Sequence, residues 1–137
     1  MNTNKILVSG IVSGVFAFFL GWLIWGILLK DSMPDNVPGL MRGDADFIMW
    51  AMIVSNLAFG IFLAYIYVEW ASISTWMTGA KAGAILGLLI SISYDFSFFA
   101  MSNMFADLGQ VVMDIVANTA WTAIIGAFLG WWLGWRK

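Results

Sequence analysis

The chain has 137 residues, 62% hydrophobic and 10% charged, with a formal charge of −2 and a mean hydropathy of +0.91. A soluble domain carries about 25% charged residues, so water is the wrong solvent for this one. With neither cysteine nor histidine, it has no disulfide, no zinc or haem site of the usual kinds and no Ser-His-Asp triad, and its few scattered charges form no basic patch for nucleic acid.

The fold class expected is an all-α integral membrane protein, a four-transmembrane-helix antiparallel bundle forming a single domain over residues 1–137. The first helix is predicted over about 6–29. Lys5 before an apolar run could mark a signal peptide, but the uncharged stretch from Ile6 to Leu29 is too long for a signal core. It ends in Trp22, Trp25 and Lys30 without a small-residue cleavage site, and reads as a retained span. A polar loop follows, holding both prolines, Pro34 and Pro38, together with Asp31, Asp35, Arg42, Asp44 and Asp46.

Helix 2 is predicted over about 47–68, with Glu69 and Trp70 at an interface and a turn at Ser72-Ile73-Ser74-Thr75. Helix 3 is predicted over about 78–103 and helix 4 over about 108–135, joined by a tight connection around Asp107. Lys5, Lys81, Arg136 and Lys137 fall on the terminal side, against Lys30 and Arg42 on the other, so both termini are expected in the cytoplasm. Eight of the nine tryptophans lie near helix ends as interfacial anchors, and only Trp121 lies deep.

Membrane helices associate by close backbone approach and interhelical hydrogen bonds. Gly79, Gly83 and Gly87 repeat every fourth residue in helix 3, and the stripe continues into Ser91 and Asp95. Helix 4 answers with Asp114, Asn118, Thr122, Gly126, Gly130 and Gly134, and helix 1 offers Gly10 and Gly14. Glycine is also simply abundant in membrane helices, but two stripes this regular point to packing.

Asp95 and Asp114 each lie about ten residues from the middle of the connection between helices 3 and 4, so they are expected at one depth, roughly 15 Å from that midpoint. Asn56 of helix 2 reaches the same layer, and Tyr94, Asn118, Ser91 and Trp22 are positioned to line it. An acid inside a span is costly unless it faces the bundle interior and is paired, hydrated or protonated. Two at one level, with no basic residue at that depth in any span to neutralise them, would share a proton or hold a cation. Asp95, Asp114, Asn56, Asn118 and Tyr94 are therefore the candidate proton, cation or ligand-binding residues. A protonated aspartate bonded to asparagine across a helix pair would equally serve as glue without any substrate.

No nucleophile, metal ligand set or phosphate clamp accompanies the acids, so no enzyme reaction, cofactor or metal is assigned. The nine methionines are scattered over all segments, as gap-fillers are, rather than clustered for copper. Phe19-Leu20-Gly21-Trp22 recurs as Phe128-Leu129-Gly130-Trp131, which is either an inverted repeat or coincidence.

The stretch Gly21-Trp22-Leu23-Ile24-Trp25-Gly26, together with Asp114, Asn118 and Gly126-Ala127-Phe128-Leu129-Gly130-Trp131, resembles small four-helix bacterial membrane proteins grouped as a domain-of-unknown-function family. The chain has Trp25-Gly26-Ile27-Leu28 where that family ends helix 1 in Trp-Tyr-Ser-Pro. The resemblance implies a four-span topology and the bacterial inner membrane, and no activity. Small multidrug exporters are similar in size but work through a glutamate in their first helix, where this chain has no acid. The vitamin K reductase type needs cysteines and the membrane glutathione transferase type needs buried basic residues, both missing here.

Two functions remain open from the sequence. One is a small transporter, channel or solute-binding protein coupled to protons or a monovalent cation. The other is an accessory or structural subunit packed into a larger membrane complex. The expected partners are the lipid bilayer, a second copy or other subunits, and a small solute or ion.

Overall fold

The computed structural model describes residues 3–28, 48–102, 105 and 107–135. The loop with Lys30, Arg42, both prolines and four aspartates lies outside them, as do Asn103, Met104, Arg136 and Lys137. Helix α1 runs Thr3–Gly21 and continues as a wider π-helical stretch, Trp22–Leu28; α2 runs Met49–Tyr65 and widens likewise over Ile66–Trp70; α3 is Trp76–Met101 and α4 is Leu108–Trp135. No strand occurs among the described residues. Counting the widened ends, the four helices have 26, 22, 26 and 28 residues. At 1.5 Å per residue the shortest is roughly 33 Å, so each is long and apolar enough to cross a hydrocarbon layer of about 30 Å.

Local chemistry sets the helix ends. The Thr75 hydroxyl accepts from the Thr78 amide at 3.2 Å, a side-chain N-cap that starts α3 two residues earlier than the sequence pattern indicates. Asp107 does the same for α4, its Oδ1 accepting from the Gln110 amide at 3.0 Å. Between α2 and α3 the chain reverses through Ser72, whose φ of 51° is left-handed, and buries Ile73 in the core.

The helices pack through their small residues. On α3 the buried residues are Gly79, Gly83, Gly87, Ser91 and Asp95, one stripe at four-residue spacing. Gly79 lies against Gly126 and Gly130, Gly83 against Thr122 and Ala123, and Gly87 against Thr122 and Asn118, so numbers rise along α3 as they fall along α4. Gly134 reaches beyond this crossing to the Ser74 carbonyl. α1 meets α2 the same way: a Cβ on Gly10 would stand 2.7 Å from the Ile61 Cα, and one on Gly14 would stand 2.8 Å from the Leu57 Cα. Gly60 of α2 sits against the backbone of both α1 glycines.

Larger side chains tie the two pairs together. Phe16 of α1 stacks on Phe128 of α4 with ring centroids 4.4 Å apart. Trp121 of α4 donates from Nε1 to the Ala17 carbonyl at 3.1 Å, stacks on Phe59 and meets Trp25 edge-on. A side chain bonded into a helical ladder loosens it, and α1 widens just beyond that carbonyl, from Trp22 onward. The main core, Ala17, Leu63, Ala64, Tyr67, Ile125, Leu129 and Leu133 with Ile6 and Ile73, fills the half of the molecule nearer the start of α1 and the end of α4. Outward faces are apolar: Val8, Ile11, Val15 and Phe19 on α1 and Ile85 and Leu89 on α3 are all exposed.

Tyr67 is fully buried, and its hydroxyl donates to the Gly79 carbonyl at 2.7 Å where α3 crosses Gly126. Tyr67→Phe keeps the ring and removes one hydrogen bond, so a loss of about 1 kcal/mol is expected, read as a lower unfolding midpoint in a detergent titration. Tyr67→Leu also leaves a void and is expected to cost about 2–4 kcal/mol.

Candidate functional site: a buried acidic pair between α3 and α4

The α3 stripe that begins with glycines ends with Ser91 and Asp95, so the residues that bring α3 against α4 also turn these two side chains into the seam. Gly87 makes the approach possible at this level, since a Cβ there would stand 2.7 Å from the Thr122 Cβ and 3.1 Å from the Asn118 carbonyl oxygen. Asp114 then adjoins Asp95, and Asn118 and Ser91 each lie four residues further from the connection on their own helices. Asp95 lies six residues before Met101 and Asp114 six residues after Leu108, so both sit about 9 Å inside their helix ends.

Asp95 is 8% exposed and Asp114 is half-buried. The two carboxyls are neighbours across the seam. Asn118 holds the second of them: its Nδ2 donates to Asp114 Oδ2 at 3.0 Å and to the Asp114 backbone oxygen at 2.9 Å. Ser91 Oγ donates to the Gly87 carbonyl at 2.5 Å, leaving only lone pairs toward the seam. Asp95 Oδ2 is buried and accepts no hydrogen bond. A buried carboxyl oxygen without a partner is costly, and native proteins keep few of them. The nearest cation along α3, Lys81, lies fourteen residues away, roughly 21 Å along the helix axis.

The other sequence candidates fall elsewhere. Asn56 is 8% exposed, but its amide donates back to the Met52 carbonyl at 2.9 Å and its backbone oxygen abuts Gly14, which places it in the α1–α2 seam. Tyr94, adjacent to Asp95 in sequence, is turned to the outer face of α3 and is 63% exposed. Trp22 is exposed as well. The site is therefore built from Asp95, Asp114, Asn118 and Ser91. An apolar groove of about 200 Å³ lies between α1 and α2, lined by Gly14, Val15, Phe18, Phe19, Ile53 and Leu57 and by neither aspartate.

Three buried polar residues lie outside the sequence expectations: Tyr67, Ser9 and Ser13, the last with its hydroxyl fully buried and without a partner. Ser9 and Ser13, four residues apart beside Gly10 and Gly14, belong to the same small-residue signal, which reads more broadly than its glycines alone. Ser9 Oγ bonds back to the Lys5 carbonyl.

Comparison of the chain with family models, with curated proteins and with solved structures gives no match.

Proposed function

We propose that the chain is a multi-pass membrane protein, its four helices crossing the bilayer as an antiparallel bundle, and that the Asp95–Asp114 pair binds a proton or monovalent cation and moves it across the bilayer as part of a small channel or transporter. Membrane insertion is supported by four helices of sufficient length and by the apolar residues they expose. The four-to-two distribution of lysine and arginine favours cytoplasmic termini. A bacterial inner membrane is the compartment that goes with the resemblance noted for the sequence.

The single observation that carries the coupling is Asp95 Oδ2, buried and without a partner beside a second carboxyl. Helix glue works by hydrogen-bonding across the seam, and this carboxyl oxygen makes no such bond. A site that exchanges a proton or an ion must keep one acceptor open.

Proteoliposomes containing a pH-sensitive dye test the reading. Under an imposed pH step and a clamped membrane potential, wild-type protein is expected to dissipate the gradient at least tenfold faster than protein-free vesicles. The absence of cysteine allows topology to be mapped on the same preparation. A cysteine placed at position 3 and one placed at position 72 are expected to react with an impermeant thiol reagent from the same, cytoplasmic, side. Reaction from opposite sides would overturn the four-span arrangement, and a gradient lost no faster than in empty vesicles would overturn the coupling and leave an accessory subunit.

A further inference from the structure

We propose that the seam between α3 and α4 holds a sodium-sized alkali cation, ligated by Asp95, Asp114, the Asn118 Oδ1 oxygen and Ser91 Oγ. This rests on the reading above and names the ion class its site takes. Four features lead to it, each a property of a different side chain.

Asp95 supplies an acceptor that nothing in the protein uses, its Oδ2 being buried and unbonded. Asn118 commits Nδ2 to Asp114, which fixes the amide and leaves Oδ1 as an acceptor. Ser91 commits its proton to the Gly87 carbonyl and so presents oxygen lone pairs alone. Asp114, held by Asn118 and adjoining Asp95, completes the group with its second carboxyl oxygen. Every group therefore offers an acceptor, and between Asp95 and Ser91 on one helix and Asp114 and Asn118 on the other the oxygens span two adjacent turns.

All the donors are hard oxygens, the choice of alkali and alkaline-earth ions rather than transition metals. Calcium takes six to eight oxygens and magnesium demands a near-octahedral shell. With Asp114 Oδ2 committed to Asn118, five side-chain oxygens remain here, and the described residues hold no cluster of three acidic, histidine or cysteine side chains. A monovalent ion needs less charge. It also offsets the negative charge of a pair whose nearest cation on α3 is roughly 21 Å away.

The experiment is equilibrium binding of radiolabelled sodium to detergent-purified wild-type protein at fixed pH, with choline as the inert cation. Saturable binding of one sodium per chain is expected, displaced by excess unlabelled sodium or lithium and not by equimolar calcium. Asp95→Asn is expected to eliminate it, Ser91→Ala and Asn118→Ala each to weaken it at least tenfold, and Tyr94→Phe, on the outer face, to leave it unchanged. Circular dichroism and elution volume establish that each variant is folded, and Ser91→Ala, which only shortens a side chain in the seam, keeps the test decisive if Asp95→Asn is not. No saturable sodium binding by the wild type, displacement by equimolar calcium, or wild-type binding in both Ser91→Ala and Asn118→Ala would each overturn the assignment. Gradient-driven proton movement without sodium binding would sink this inference and leave the coupling standing. Sodium binding without any movement would do the reverse.

Discussion

Gly79→Val is expected to separate α3 from α4 and to cost more than about 3 kcal/mol, the upper range for overpacking a filled interface. A Cβ at this position meets the Gly126 carbonyl, and the Gly130 Cα stands 3.2 Å away, so backbone rather than a flexible side chain blocks it. Neither helix can give locally. Gly126 is buried against Gly79 in turn, and the Tyr67 hydroxyl occupies the remaining space beside the crossing. Separation would break the Tyr67 bond and pull Ser91 and Asp95 out of register with Asn118 and Asp114, so ion binding should fall with stability. Gly109→Ala is the control: a Cβ there meets only the Asp107 Oδ1 atom at 3.2 Å, at the exposed start of α4, and less than about 1 kcal/mol is expected. Unfolding in graded denaturing detergent, followed by helical ellipticity, checks both.

Asp95→Asn and Asp114→Asn are expected to separate function from stability. Each substitution keeps the shape of the side chain and removes a carboxyl that can be charged. An amide at position 95 can donate to the adjoining Asp114 carboxyl, so the seam keeps a polar contact and loses its open acceptor. Stability should therefore hold within about 1 kcal/mol, or rise, because an amide that can donate across the seam replaces a carboxyl with an unmet oxygen. Gradient dissipation should fall at least tenfold in each single variant and no further in the double variant, since the two carboxyls act as one site. Packing glue would show the opposite pattern, with stability lost and nothing else to lose.

Much of the seam is legible in the sequence because its physical cause is periodic. Small residues at every fourth position are the only ones that let two helices touch backbone to backbone, and in α3 that spacing runs without interruption from Gly79 to Asp95. Placing Asp114 opposite Asp95 follows from a short connection alone. Tyr67 is a different matter: it faces Gly79 from the widened end of α2, where the regular helical period no longer tells which way a side chain points. Asn56 shows the limit of depth as a guide, since a residue can reach the right layer and still belong to another seam. Tyr94 shows the limit of adjacency, because the residue next to a buried one on a helix is turned about 100° away. Trp121 stands out in the sequence as the one deep tryptophan, but its partners Ala17, Phe59 and Trp25 come from two other helices, and no local pattern names them.

The most direct measurement is gradient dissipation by the Asp95→Asn variant beside wild type, in vesicles reconstituted from one preparation at matched protein content. Rapid loss of the gradient with wild type, a rate near that of protein-free vesicles with the variant, and equal unfolding midpoints for the two proteins are the expected result. Equal rates for both proteins, or a variant that loses its fold along with its activity, would contradict a coupling role for the acidic pair.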